Sequence, residues 1–384
     1  SHENATLPYI PSPVHVFKKL KQAKELGVSG IVECWYFGNY PSVMSKAVGE
    51  LAFYEKLGSR ETFISKLAGI TYGNSAAPAV AECWRYMYES YSNCPFNIMF
   101  SYYGPFHDGV VWDLALKPKN LPLPRTWQLT DVPDGDRIAE CFMYGHTHEE
   151  VTALFERVVQ CASAAKEALQ EHAEGKANGS LTDLYTVLSA YLVLAESALN
   201  ILRFYKLRRY LGRLRDDPLN ILSKMKEIVL REIENSRLMT GLCKADSRLG
   251  YHSEAEGYKF FPEKLEARVE KLKKLLQAEF PEVEQRIKEG LIPLEFYSGE
   301  AGPGDYIIEQ SDITRAPWQY FAEGRAAVRF ACVDGEMTVE LKGENIAEED
   351  EDSYRFVLLT EFEPMYPEGA VLIRSDGSWF ADGE

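Results

Sequence analysis

The spacing of apolar residues changes character along the chain. Over residues 14–26, Val14, Phe17, Leu20 and Leu26 fall in helical rhythm and stop at Gly27, which predicts a helix with a glycine cap. The run Val28-Ser29-Gly30-Ile31-Val32-Glu33-Cys34-Trp35-Tyr36 is mostly apolar, the pattern of a strand buried in a parallel sheet. Helices are expected at about 41–54, 61–68 and 78–91, then a second strand over 97–103. Helix alternating with strand is the grammar of an α/β region. Residues 104–141 are rich in Pro, Trp and Asp with little periodicity and read as long functional loops.

From 147 to about 290 the helical period takes over. Thr147 and Glu150 form a capping box ahead of Val151, Leu154, Phe155 and Val158. Ser180 and Asp183 resemble a second one, before a helix expected to run to about 211. Asp217-Pro218 pairs an N-cap with proline at the first helical position. A fourth helix starts near Pro262, and long antiparallel helices are the simplest packing. Beyond 291 the period becomes two. Val328, Phe330 and Cys332 alternate with polar residues, Asp334-Gly335 supplies a turn, and Met337, Val339 and Leu341 continue the alternation. The fold class expected is therefore α/β plus α plus β. It comprises part of a (β/α) TIM-like barrel (1–145), a long-helix bundle (146–290) and a C-terminal β-sandwich (291–384).

Composition narrows the function classes. The formal charge of −16 argues against nucleic acid, which is held by clustered Lys and Arg, and against anionic membrane surfaces. The seven cysteines are scattered singly, as free thiols of a reducing, cytoplasmic compartment would be. No GxGxxG, P-loop, GxSxG or HExxH motif is present, so no cofactor and no metal are expected. His146 and His148 have metal-like spacing, but they coincide with the capping box.

Two clusters carry candidate chemistry. In Glu33-Cys34-Trp35-Tyr36-Phe37-Gly38-Asn39-Tyr40-Pro41, strand alternation puts Glu33 and Trp35 on one side. An acid beside an indole suits a sugar, the acid for hydroxyls or proton transfer and the ring for the apolar face. A core Trp and a structural ion pair is the alternative. The second cluster, from Tyr102 and Tyr103 through His107 and Asp108 to Trp112, also follows an expected strand and reads as a binding rim, or as a loop that folds itself. Glu3 near the start could join Glu33 as the carboxylate pair that glycoside hydrolysis needs. The stretch from Arg248 to Tyr258 is dense in polar and aromatic groups, and is expected to lock the helical domain onto the barrel.

The motifs Leu7-Pro8-Tyr9-Ile10-Pro11, Lys24-Glu25-Leu26-Gly27-Val28-Ser29-Gly30 and Cys34-Trp35-Tyr36-Phe37-Gly38-Asn39-Tyr40-Pro41 resemble the later barrel strands of a bacterial group. That group is similar to family-20-type hexosaminidases and α-glucuronidases. The stretch from Gly250 to Tyr258 resembles the helical segment after the barrel in the same group, and the C-terminal hairpins resemble a family-9-type carbohydrate-binding sandwich. The resemblance implies a glycoside hydrolase, or a fragment of one, with a carbohydrate as partner. Glu33 and Glu3 would be its catalytic carboxylates; Trp35, Asn39, Tyr40, Tyr103, His107, Asp108 and Trp112 would bind substrate. A non-catalytic carbohydrate-binding or scaffold protein is the rival. A full barrel takes about 250 residues, so a further N-terminal segment or a second chain is expected to complete it. The opening Ser1-His2-Glu3, with Met44 as first methionine, points the same way.

Overall fold

The structure is a computed structural model. It describes residues 4–31, 42–53, 58–95, 104–119, 135–136, 138, 148–173, 179–213, 217–252, 255–291 and 293–294, and the backbone of six strands between 326 and 381. Four helices occupy the first part: α1 (Pro13–Glu25), α2 (Val43–Ala52), α3 (Arg60–Tyr72) and α4 (Ala77–Ser92). Short polar residues start two of them. The Ser42 hydroxyl accepts the Met44 N–H at 3.3 Å, and that of Ser59 accepts the Thr62 N–H at 3.1 Å. The short α5 (Pro105–Asp108) runs into a 3-10 turn at Gly109–Val111.

Four long helices follow: α6 (His148–Ala173), α7 (Gly179–Arg213), α8 (Pro218–Ala245) and α9 (Pro262–Lys288). Asp217 caps α8 as its sequence indicates, accepting from the N–H of Leu219 at 3.1 Å. Between α8 and α9 the chain forms a two-stranded antiparallel hairpin, β1 (Tyr251–His252) and β2 (Gly257–Tyr258). Helices α4, α6, α7, α8 and α9 pack in series, each on the next, and one apolar core runs from Leu7 to Leu294. Burying that shared surface, rather than helix propensity, is what holds helices of this length in place. Helix α7 is long and apolar enough to cross a membrane by length and composition. Yet 89% of its most apolar window is buried inside this core.

This architecture corrects the expected fold class. No strand of a (β/α) barrel occurs among the described residues. The run read as a first barrel strand leaves α1 at Gly27 (φ 75°) with Val28 and Ile31 about half exposed, which a strand buried on both faces forbids. Residues 32–41 and 96–103 lie outside the described residues. Leu7, Tyr9 and Ile10 are buried not in a sheet but against the helical core. A short apolar run looks the same to a sheet and to a helix bundle, and here the bundle takes it. The expected β-sandwich is corrected too. β3 (Ala326–Val333) and β4 (Glu336–Gly343) pair as a hairpin with Val328 opposite Leu341. β5 (Glu348–Asp350), β6 (Ser353–Phe356), β7 (Val371–Arg374) and β8 (Trp379–Ala381) form a separate antiparallel meander. Strands of three or four residues offer little inner face, and these elements make no sandwich among the described residues.

Candidate functional site

Of the residues nominated from the sequence, Glu3, Glu33, Trp35, Asn39, Tyr40 and Tyr103 lie outside the described residues. The other three, His107, Asp108 and Trp112, belong to the segment between Gly104 and Leu116, which threads into the helical core. All three are buried at or below 1% exposure, which makes them interior groups rather than a rim. Gly109 explains how the backbone comes so close to α7: a Cβ there would stand 3.2 Å from both Ser197 Oγ and Ile201 Cδ1.

Around α5 a polar cluster forms from three distant parts of the chain. The side-chain amide of Asn4 donates to Phe106 O at 2.6 Å and the Thr6 hydroxyl donates to His107 O at 2.7 Å. These bonds tie the N-terminal segment to α5. The ring of His107 meets that of His252 edge to face, with centroids 4.7 Å apart. Beside them Lys259 Nζ stands 3.5 Å from Asp108 Oδ2, both residues at 1% exposure. Burial raises the Asp108 carboxyl above its ordinary range, against the pull of Lys259 and Lys264. Burial also pushes both imidazoles down, His107 well below the usual value and His252 to about 4, with Lys259 adding to each.

A second buried cluster sits where α7, α8 and α9 meet. Glu232 accepts from Ser197 Oγ at 2.5 Å, Asn200 Nδ2 at 2.8 Å, Asn235 Nδ2 at 2.9 Å and Arg268 Nη2 at 2.8 Å. Arg268 also donates through Nε to Trp112 O at 2.8 Å and through Nη1 to Ser236 Oγ at 2.8 Å. Trp112 is thus anchored at both ends, since its indole N–H donates to Gly135 O at 2.8 Å. A third contact, the ion pair of Arg208 with Asp136 at 2.9 Å, holds Asp136 to α7.

Several groups important here were not nominated from the sequence: His252, Lys259, Glu232 and Arg268. The stretch from Arg248 to Tyr258 had been expected to act as a lock, and in the fold the Gly250 N–H donates to Thr6 O at 2.8 Å. Arg248 bonds Asp183, which also accepts the Tyr9 hydroxyl at 2.6 Å, so the hairpin root, α7 and the N-terminal segment meet there. His148 does not present a metal-binding face. Its ring is buried and Nε2 lies 2.7 Å from Leu202 O, while His146 is outside the described residues. No group of three metal-ligating side chains occurs among the described residues. No family model, no curated protein and no solved structure matches the chain.

Proposed function

We propose that this chain belongs to a carbohydrate-active protein, a glycoside hydrolase, whose sugar contacts are made by Glu33, Trp35, Asn39, Tyr40 and Tyr103. The observation that supports this division of labour is the complete burial of His107, Asp108 and Trp112. They brace the segment that follows Tyr103 and do not themselves meet a ligand. Contact with a pyranose then falls to the remaining aromatic and acidic candidates: an indole for the sugar face, a carboxylate for hydroxyls or proton transfer. Glu33 is the acid assigned to the reaction.

Carbohydrate binding without turnover is a second reading, favoured by one feature. Among the described residues the buried carboxylates Asp108, Asp136 and Glu232 each face a buried cation, Lys259, Arg208 and Arg268 respectively. Such pairing suits a scaffold better than a proton donor. Calorimetric or glycan-array binding by wild type and Trp35→Ala, with turnover of aryl glycosides and aryl glucuronides by wild type and Glu33→Gln, separates the readings. The hydrolase predicts weaker sugar binding in Trp35→Ala and turnover abolished by Glu33→Gln. Binding without turnover supports the second reading, and equal sugar affinity in wild type and Trp35→Ala overturns the assignment of contacts.

A further inference from the structure

The β1–β2 hairpin is tied down by groups whose geometry depends on one ring staying neutral. His252 Nδ1 accepts the backbone N–H of Ala255 at 3.1 Å, which closes the turn of the hairpin. A ring nitrogen accepts only through a lone pair, so Nδ1 carries no hydrogen and the neutral ring bears its hydrogen on Nε2. The other side of the ring meets His107. Below the hairpin, Gly250 donates to Thr6 O and accepts from the Lys259 N–H, each at 2.8 Å. Gly250 holds φ 86° and has no room for a side chain, because a Cβ would stand 2.0 Å from Phe260 O. The hairpin therefore has one seat, and that seat touches both α5 and the N-terminal segment.

We propose that the β1–β2 hairpin is an acid-released latch. A proton arriving at His252 Nδ1 turns an acceptor into a donor facing the Ala255 N–H and adds a cation beside Lys259. Both changes expel the hairpin from its seat and free the segment around Asn4 and Thr6 from α5, while helices α6 to α9 stay packed.

Among the described residues, the charged groups around His252 come from each element packed against it. From α5 the neighbours are His107 and Asp108, and the carboxylate already faces Lys259. From α9 comes Lys264, a further cation acting on Asp108. The N-terminal segment contributes Asn4 and Thr6, which are uncharged, and α7 presents Ser197 and Ile201 behind Gly109. Asp246 and Arg248 at the hairpin root pair with each other, and Arg248 also with Asp183. Glu256 in the turn is exposed.

The direction of the response follows from linkage. In the seated hairpin His252 is held down to about 4, whereas in the released one it takes the ordinary imidazole value of 6.5. The released form binds protons more readily, so the opening constant is lowest above about pH 6.5 and rises as pH falls toward 4. Between pH 7 and pH 5 one such histidine raises the opening constant on the order of 20-fold.

Amide hydrogen exchange on the full chain at pH 7 and pH 5, corrected for the intrinsic pH dependence of exchange, tests this. The Gly250 and Lys259 amides and the segment around Thr6 should exchange on the order of 20-fold faster at pH 5. They should do so ahead of the amides in the middle of α8, and His252→Gln should remove most of the pH response of the hairpin. Equal corrected hairpin rates at the two pH values would overturn the latch. So would exchange of hairpin and α8 at one common rate, or an unchanged response in His252→Gln. Nitrogen NMR of the wild-type imidazoles is independent of any variant: a hydrogen on His252 Nδ1 at pH 7 would also overturn the proposal.

Discussion

The two buried polar clusters lie at the two ends of the same short segment, yet they are built on opposite terms. At the Trp112 end, Glu232 receives four donors and Arg268 spends its guanidinium on a carboxylate, a hydroxyl and a backbone carbonyl. At the His107 end, Lys259 stands 3.5 Å from Asp108, and beside them two neutral imidazoles meet each other. Taking a charge out of water costs several kcal/mol, and the cost is recovered only where its partners are close and complete. The first cluster meets that condition unconditionally. The second meets it only while its histidines stay neutral. One end of the segment is a permanent fastening and the other is a conditional one.

Removing a partner from the fastening should have the largest effect. Glu232→Ala leaves Arg268 buried beside three polar groups with no charge to face, and should lower the unfolding free energy by about 3–5 kcal/mol. Urea unfolding checks this. A loss below about 1 kcal/mol would mean that water reaches the site, and the distinction between the clusters would fail.

Next in size is Gly250→Ala, which strikes the conditional end without touching a charge. The positive φ and the contact with Phe260 O force the backbone to move, at a cost of about 2–4 kcal/mol. The loss should fall on the hairpin, so limited proteolysis should cut first between 250 and 260. First cleavage within α8 would show that the hairpin is not a separable element.

The long helices and the Asp217 cap were legible in the sequence because those signals are local, whereas Ser180, read as a cap, lies inside α7. Asp217-Pro218 marked the start of α8, and the apolar period marked α6 to α9. The barrel is corrected at residues 28–31, the start of a short apolar run, a pattern that carries no information about the partner that will bury it. His107, Asp108 and Trp112 stood out by residue type, but residue type does not distinguish a rim from an interior. What buries them is spread across Asn4, Gly109, Lys259 and Arg268, and only folding brings those together. The polar and aromatic density of Arg248 to Tyr258 was visible and fitted either a reach into a site or a lock; its contact with Thr6 was not.

The effect that bears most directly on the comparison is the pH dependence of unfolding, measured in urea at pH 7 and pH 5. Burial holds His148 down to about 3 and His252 to about 4, and both are neutral in the fold. Unfolding returns them to about 6.5, so the unfolded chain binds more protons and stability falls as pH falls below that value. Each such histidine should remove about 2 kcal/mol between pH 7 and pH 5. The His107→Gln, His252→Gln double variant should keep the part owed to His148 and to His15, which burial also holds down to about 4, and lose at least about 2 kcal/mol of the wild-type decline. Equal pH dependence in wild type and the double variant would contradict the account.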